Sequence, residues 1–272
     1  MIALFDSGYG GLTVLKPILK ALPEYDYIYL GDSARVPYGN RSPEMIKKFT
    51  EEAVEYLFKR GAKVIIIACN AVSSVALRHV QQKYLKGADE HDRKILGVVI
   101  PMAEEVVKTT RNGRVGLIGT RATVNSKVYD KEIAKLCPPT RSIKLYSEAT
   151  PLLVPLIEED YHKEPEAITI LKKYLRPLKS YNIDTLILGC THYPLMLKAI
   201  TRTMGKKVKV LQSGDLTAKS LKNYLVRHPE IESKLTKGKS LTILTTDDPS
   251  KFKTFTEKHF GMKIKMPEKV TL

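Results

Sequence analysis

The chain has 272 residues and an ordinary composition for a folded protein, with 43% hydrophobic and 27% charged residues. That length allows one large α/β domain or two smaller ones, each with its own hydrophobic core. The apolar runs at 64–69 and 95–103 are far shorter than the roughly 20 residues of a membrane helix, and the first residues do not resemble a secretory signal. We therefore expect a cytoplasmic protein with no membrane partner.

The net charge is strongly positive, at +16 from 45 basic and 29 acidic residues. The lysines are spread along the chain and form no basic arm, which favours a cationic surface that attracts a small anionic ligand over one that binds nucleic acid. Three cysteines with no CxxC pair argue against a disulfide framework or a structural metal site. If the cysteines have a function, they act as free thiols.

Short apolar runs alternate with amphipathic stretches of helical length, which is the pattern of βαβ units. This alternation predicts an α/β fold with mainly parallel sheets covered by helices. The predicted strands are 2–5, 27–30, 64–68, 95–100, 114–118, 143–146, 185–188, 208–212 and 241–244. The predicted helices between them include 44–58, 73–85, 122–136, 165–178 and 249–260.

Two of the predicted strand ends match each other. The segments 64–70 and 185–191 both consist of a buried strand, one small residue, a cysteine and a polar side chain. Such a repeat suggests two related α/β halves that face each other. Because parallel sheets carry their chemistry at the carboxyl ends of the strands, these matched positions are candidates for a shared site.

Cys69 and Cys190 are the two cysteines at these strand ends. Each precedes a predicted helix, where the helix dipole and free backbone N–H groups stabilise a thiolate and lower its pKa. A single cysteine there is as readily a small buried hydrophobic residue, but a matched pair favours acid–base chemistry. His192 can tune the Cys190 thiol or accept its proton, although such a histidine alone is often structural. Cys137 ends a predicted helix, and we interpret it as structural.

The glycine-rich segment 6–11 follows the first strand and lets the backbone approach an anion. It lacks the GxGxxG spacing and the partner acid of a dinucleotide site. A carboxylate at Asp6 suits an ammonium group or a thiol better than a phosphate, so an amino acid is the expected ligand. Thr120 and Thr123, at another predicted helix start, offer donors to a carboxylate.

The same residues resemble the glutamate racemases of the aspartate/glutamate racemase superfamily. The resemblance covers roughly residues 2–214, and its last motif is highly specific. The motifs are FDSGYGGLTVL at 5–15, GDSARVPYG at 31–39, ACN at 68–70, PLLVPLIEE at 151–159 and LGCTHYPL at 188–195.

The resemblance implies two pseudo-symmetric α/β domains, 1–96 plus 209–272 and 97–208, with the active site in the cleft between them. It also implies a homodimeric isomerase that interconverts L- and D-glutamate without a cofactor or metal and supplies D-glutamate for peptidoglycan, and hence for cell-wall biogenesis and cell shape. By motif, the catalytic residues are Cys69, Cys190, Asp6, His192 and Glu158. The substrate contacts are Ser7, Pro37, Tyr38, Gly39, Asn70, Thr120, Thr123 and Thr191.

A two-thiol mechanism also agrees with simple chemistry. Inverting a stereocentre by proton transfer requires a base on one face of Cα and a proton donor of similar strength on the other. Two positions depart from the family's pattern: Ala71 stands where threonine is usual, and Ile100 stands where an acidic residue often precedes the proline. Two alternatives follow, a sister racemase for aspartate or another amino acid, and a catalytically decayed binding or regulatory protein with a basic surface.

Overall fold

A computed structural model describes residues 1–87 and 92–272 and contains two parallel β-sheets in that part of the chain. The predicted α/β class with parallel sheets is confirmed. The strands are β1 Ile2–Asp6, β2 Tyr27–Gly31, β3 Val64–Ile67, β4 Lys94–Gly97, β5 Arg114–Gly119, β6 Lys144–Ala149, β7 Thr185–Gly189, β8 Lys209–Leu211, β9 Leu241–Thr245 and β10 Glu268–Lys269.

Four neighbouring strands of the first sheet have the same order as the four strands of the second sheet. The first has the order β10-β9-β2-β1-β3-β4 and the second has the order β6-β5-β7-β8. All the strand pairs in both sheets are parallel. The run β2-β1-β3-β4 in the first sheet therefore corresponds to β6-β5-β7-β8 in the second. Since Cys69 follows β3 and Cys190 follows β7, the repeat seen in the sequence is a repeat of the fold.

Helices cover both sheets. They are α1 Leu12–Ala21, α2 Pro43–Lys59, α3 Asn70–Val75, α4 Leu77–Tyr84, α5 Val99–Thr109, α6 Arg121–Asn125, α7 Val128–Leu136, α8 Leu153–Glu158, α9 Pro165–Ser180, α10 Leu197–Met204, α11 Ser213–Arg227, α12 Pro229–Glu232 and α13 Pro249–Phe260. Short 3₁₀ turns lie at Ser33–Arg35, Tyr38–Asn40 and Tyr193–Met196. None of these described helices has the length and apolar content that crossing a membrane requires.

Alternation along the strands builds the core. Ile2 and Leu4 of β1 face one buried cluster, which also includes Leu188 of the second sheet. Ala3 and Phe5, on the other face of the same strand, pack in a separate cluster under α2. Because successive side chains of a strand point to opposite faces, both faces of β1 are buried, and the first face joins the two sheets.

Three predicted elements differ from the structure. The predicted strand 95–100 ends at Gly97, because Val98 adopts a helical backbone and α5 begins at Val99, with a proline in its first turn where proline is tolerated. The predicted helix 73–85 begins earlier and divides into α3 and α4. The predicted helix 122–136 divides into α6 and α7 at Lys127, whose φ of 54° is left-handed and ends a helix.

The division of the chain into 1–96 plus 209–272 and 97–208 stays a prediction. Strand β8 begins at the predicted border of 209, yet it pairs with β7 in the second sheet. Helix α11 then packs against α1 and α5, so it contacts both halves of the molecule.

Candidate active site

A narrow cavity opens at the carboxyl ends of the two sheets and is lined by both Cys69 and Cys190. Its wall comes from loops after β1, β2 and β3 of the first sheet and after β5 and β7 of the second. The lining residues are Ser7, Val36, Pro37, Tyr38, Gly39, Cys69, Asn70, Ala71, Thr120, Val154, Gly189, Cys190, Thr191 and His192. The position agrees with the rule that parallel sheets bind ligands at their carboxyl edge.

Cys69 is held as a buried thiol. Its Sγ lies 3.4 Å from Ser7 Oγ. Burial and, to a smaller extent, the negative charge of Asp6 raise the pKa of Cys69 to about 12, although hydrogen bonds from Ser7 and the Val72 N–H oppose the shift. The prediction that a helix start lowers this pKa is wrong, because α3 is a six-residue helix and cannot offset burial beside a carboxylate.

Asp6 lies behind the cavity wall at the end of β1 and is fully buried. Its Oδ2 accepts a hydrogen bond from the Gly8 N–H at 3.1 Å, and its Oδ1 accepts one from Thr191 Oγ1 at 3.3 Å. Burial raises the pKa of Asp6, while the positive charge of His192 and these hydrogen bonds act in the opposite direction. Because Thr191 follows β7, this carboxylate is tied to the other half of the molecule.

Cys190 has a different partner. His192 Nδ1 lies 3.8 Å from Cys190 Sγ, and His192 Nε2 lies 2.9 Å from Glu158 Oε1. Burial lowers the pKa of His192, but the hydrogen bonds to Cys190 and Glu158 outweigh burial and raise that pKa well above its usual value. Glu158, His192 and Cys190 therefore form a chain along which a proton can move to or from the thiol.

Gly10 allows the two halves to approach closely at this point. A Cβ atom there would lie 2.4 Å from Thr191 Oγ1 and 2.6 Å from His192 Nδ1. Both distances are shorter than real Cβ contacts, so a side chain at position 10 would displace the histidine. Gly10 is therefore required for this close packing and not for the approach of a phosphate.

Asn70 presents a free donor at the cavity wall. Its Oδ1 accepts a hydrogen bond from Tyr129 Oη at 2.7 Å, which fixes the amide. Its Nδ2 is buried and has no hydrogen-bond partner among the described residues. Buried donors are normally paired, so this atom is available to a ligand.

Thr120 and Thr123 form the corresponding polar corner of the second half. Their hydroxyl oxygens are 3.1 Å apart, and Thr120 Oγ1 accepts the Thr123 N–H as the N-cap of α6. Thr120 lines the cavity, whereas Thr123 lies behind it. Gly39 packs against this corner, since a Cβ there would lie 2.4 Å from Thr120 Cβ.

Asp32 is a positioning residue that the sequence analysis did not single out. It is buried at the end of β2 and accepts hydrogen bonds from the hydroxyls of Tyr38 and Thr246 and from Arg35. These bonds fix the loop 33–40, which carries the cavity residues Pro37 and Gly39. In the sequence, the signal for Asp32 is an acidic residue at the end of an apolar strand.

The predicted site residues divide into a wall and a layer behind it. Those that line the cavity are Ser7, Pro37, Tyr38, Gly39, Cys69, Asn70, Thr120, Cys190, Thr191 and His192. Asp6, Glu158 and Thr123 lie behind them and contact wall residues. The wall also includes Val36, Val154 and Gly189, which are apolar or small and carry no chemical signal in a sequence.

The two positions that depart from the family's pattern, Ala71 and Ile100, lie in different places relative to the cavity. Ala71 lines the cavity, whereas Ile100 is 38% exposed on α5 and is not part of the wall as described. Cys137 also lies away from the cavity, where its Sγ donates to the Arg141 carbonyl oxygen at 3.3 Å. All three cysteines are free thiols.

Cys69 and Cys190 reach one cavity from equivalent strands, and each has its own acid–base partner. This arrangement makes the cavity a site for proton transfer between two thiols. The family model for Asp/Glu/Hydantoin racemases matches residues 11–221. The chain belongs to this racemase family.

Individual relatives agree with this assignment. The chain is 43% identical to a glutamate racemase of Geobacter metallireducens over 80% of the chain and 77% of that relative. It is 37% identical to one of Streptococcus suis over 97% of the chain and 96% of that relative.

Solved structures resemble the chain over nearly its whole length. The glutamate racemase isoform RacE1 of Bacillus anthracis superimposes with a TM-score of 0.89 at 33% identity, covering 100% of this chain and 97% of the other. The glutamate racemase of Francisella tularensis, solved in complex with D-glutamate, gives 0.87 at 34% identity, covering 99% and 97%. These matches agree with the two-sheet architecture described above.

Proposed function

We propose that this chain interconverts L- and D-glutamate by proton transfer at Cα between Cys69 and Cys190, without a cofactor. The observation that carries the proposal is the cavity lined by both buried thiols, one from each sheet. A relative that is 43% identical to this chain is a glutamate racemase, and one similar structure was solved in complex with D-glutamate.

The reaction balances with two proton transfers. The thiolate of one cysteine takes the Cα proton, and the electron pair of the broken C–H bond stays on the substrate as a carbanion delocalised into its carboxylate. The thiol of the other cysteine then delivers its proton to the opposite face of Cα. Each turnover exchanges which cysteine holds a proton, so the same site works in both directions.

The raised pKa of Cys69 favours one starting state of the two thiols. With a pKa raised to about 12, Cys69 is protonated at neutral pH and begins as the donor. The half that contains Cys190 must then supply the base. His192, held by Glu158 at 2.9 Å, is placed to take up or return the proton of that cysteine.

The wall supplies groups for an anionic amino acid. The unpaired Nδ2 of Asn70 and the hydroxyl of Thr120 can donate to carboxylate oxygens. Donors aimed at the α-carboxylate also stabilise the carbanion, which has no cofactor to accept its electrons. The net charge of +16 favours capture of an acidic substrate.

The cellular setting belongs to the same proposal. We place the enzyme in the cytoplasm as a homodimer that supplies D-glutamate for peptidoglycan and so supports cell-wall biogenesis and cell shape. We also propose two domains with the cleft between them, and we assign 209–211 to the second domain because β8 pairs there.

The test is solvent deuterium exchange. Purified protein in D2O, with no added cofactor, is expected to racemise glutamate and place deuterium at its Cα. A panel with aspartate and other amino acids identifies the substrate. Faster exchange of aspartate supports the alternative of a sister racemase. That alternative is included because Ala71, which departs from the family's pattern, lines the cavity.

Two other outcomes contradict the proposal. A strict requirement for pyridoxal phosphate rules out the cofactor-free route. Salt-sensitive retention of DNA with no turnover on any amino acid supports the alternative of a binding protein with a basic surface.

A further inference from the structure

A second cluster of ligand-type side chains lies outside the cavity. Asp160 and His162 follow α8, and His259 lies in the last turn of α13. One donor atom from each residue lies within 4.8 Å of the other two. Asp160 Oδ1 is 3.8 Å from His162 Nδ1 and 3.3 Å from His259 Nε2.

Two of these three atoms are buried and have no hydrogen-bond partner among the described residues. The side chains of His162 and His259 are only 3% and 4% exposed. Asp160 Oδ1 and His162 Nδ1 have no hydrogen-bond partner among the described residues. Buried polar atoms of this kind are normally satisfied, so the lone pairs of this oxygen and this nitrogen are available to a cation.

We propose that Asp160, His162 and His259 bind a divalent transition-metal ion of the zinc type. Zinc bonds of roughly 2.0–2.1 Å in a tetrahedron place neighbouring ligand atoms about 3.3–3.4 Å apart. The two distances from Asp160 Oδ1, 3.3 and 3.8 Å, are close to this spacing, and the two imidazole nitrogens lie within 4.8 Å of each other. Two imidazoles and one carboxylate suit zinc, copper or nickel and do not suit calcium or magnesium.

The contacts of Asp160 leave one of its oxygens for the ion. Lys258 pairs with Asp160 Oδ2 and so leaves Oδ1 free for a metal. The Asp160 side chain is 36% exposed although its Oδ1 is buried, so the cluster lies just beneath the surface. Asp160 has a φ of 57°, a left-handed backbone that is uncommon for a residue with a side chain and that recurs at ligand sites.

The ion would join two parts of the molecule. Asp160 and His162 lie just beyond Glu158, which holds the catalytic-site histidine. His259 lies on α13, whose Phe255 stacks on Tyr9 with ring centroids 4.7 Å apart. A bound metal therefore cross-links the segment after α8 to the helix packed on the first glycine loop.

The test is metal titration of the full-length, tag-free chain. Because cavity thiols also bind zinc, the parent for this experiment carries Cys69→Ser and Cys190→Ser, and the result is then independent of racemase activity. We expect one equivalent of Zn²⁺ by calorimetry and a tetrahedral visible spectrum with Co²⁺. Zinc should also raise the midpoint of thermal unfolding, since an ion that binds only the folded state stabilises it.

Variants decide whether these three residues hold the ion. His162→Gln and His259→Gln should each weaken zinc binding by at least roughly 10–100-fold. Asp160→Asn should do the same while it keeps the fold, because asparagine is similar in size and tolerates a left-handed backbone. His228→Gln, at an imidazole paired with Glu230 on another surface, is the matched control and should leave the affinity unchanged. Equal zinc affinity in the parent and in Asp160→Asn, or no binding by the parent, overturns the proposal.

Discussion

The two halves of the molecule use the same strand order to present a cysteine, yet they surround that cysteine with different chemistry. In the first half, β1 ends in the buried carboxylate Asp6 beside Cys69. In the second half, the corresponding strand β5 ends in a glycine, and the acid–base partner His192 instead follows the cysteine strand itself. The repeat thus preserves the position of the thiol and not its environment.

The difference shows that the two environments are built across the cleft. Asp6 of the first half accepts a hydrogen bond from Thr191 of the second. His192 of the second half packs on Gly10 of the first, where no side chain would fit. Each half therefore contains its own acid–base partner, but a contact from the other half holds that partner in place. A reaction that must run equally well in both directions is carried by two thiols that lie in different environments.

The largest expected effect comes from removing either thiol. Cys69→Ser and Cys190→Ser should each lower kcat for racemisation by about 10³-fold, within the usual range for a lost acid–base group. Polarimetry from pure L- and D-glutamate measures the loss. If the thiols serve opposite faces of Cα, each variant should retain slow solvent exchange with one enantiomer only, and the two variants should prefer opposite enantiomers.

Cys137→Ser is the matched control for both thiol variants. Its thiol lies outside the cavity and donates to a backbone carbonyl, so racemisation should be unchanged. Full activity in both cavity variants would falsify the two-thiol mechanism. Exchange of the same enantiomer by both variants would contradict the assignment of one thiol to each face.

His192→Gln tests the second half next, with an expected loss of about 10²-fold in kcat/KM. Because the two enantiomers have equal free energy, kcat/KM must fall equally in both directions. The separate kcat values need not, since only one direction begins with proton removal by Cys190. Measuring initial rates from each enantiomer checks this, and a symmetric fall in both kcat values would contradict the proposed difference between the halves.

The pH dependence of His192 follows from its contacts. Its pKa in the folded protein is raised, so its contribution to stability is full below the unfolded pKa and disappears as pH rises through the folded pKa. Glu158→Gln removes a charge that raises this pKa and should therefore shift the loss of stability to lower pH. Thermal unfolding across neutral and alkaline pH, with an imidazole NMR titration, measures the shift. An unchanged pKa would show that Cys190 alone sustains it.

Asp6→Asn tests the first half, with an expected fall in kcat of about tenfold. The charge of Asp6 raises the pKa of Cys69, so the variant should lower that pKa below its value of about 12. Ser7→Ala should act in the opposite direction, because the Ser7 hydrogen bond lowers the pKa. Alkylation rates of Cys69 against pH, in a chain without the other two cysteines, compare the variants. Shifts of the same sign would refute this description of the environment.

Most of the fold could be predicted because parallel strands buried on both faces are continuous apolar runs. The run at 64–68 and the strand Val64–Ile67 differ by a single residue. Predictions failed where tertiary structure decides. The strand β10 consists of two exposed residues that pair with β9, and no local pattern marks it. The apolar run at 95–100 continues into α5 because a buried helix is as apolar as a buried strand.

The sequence predicts which residues form the candidate site, but it does not predict how those residues interact. Strand-end residues such as Cys69 and Cys190 are visible in a sequence because the sheet geometry brings the carboxyl ends of the strands together. The contact of Asp6 with Thr191, and its effect on the pKa of a thiol, depend on how the two sheets face each other. The proximity of Asp160 to His259 depends in the same way on the packing of α13.

The smallest expected effect concerns Ala71. This residue makes the loop after Cys69 different from the loop after Cys190 where the two loops line the cavity. Cys190 is followed at once by a hydroxyl residue, whereas Cys69 is followed by Asn70 and a buried alanine in the cavity wall. Ala71→Thr adds a hydroxyl there and should lower KM for glutamate about fivefold, the equivalent of one hydrogen bond of roughly 1 kcal/mol, with little change in kcat. Ala71→Val has the same shape without the hydroxyl and separates hydrogen bonding from filled space. Steady-state kinetics with both variants should show the gain only with threonine. An equal change in KM with valine would mean that packing, and not a missing donor, sets substrate affinity on the Cys69 side.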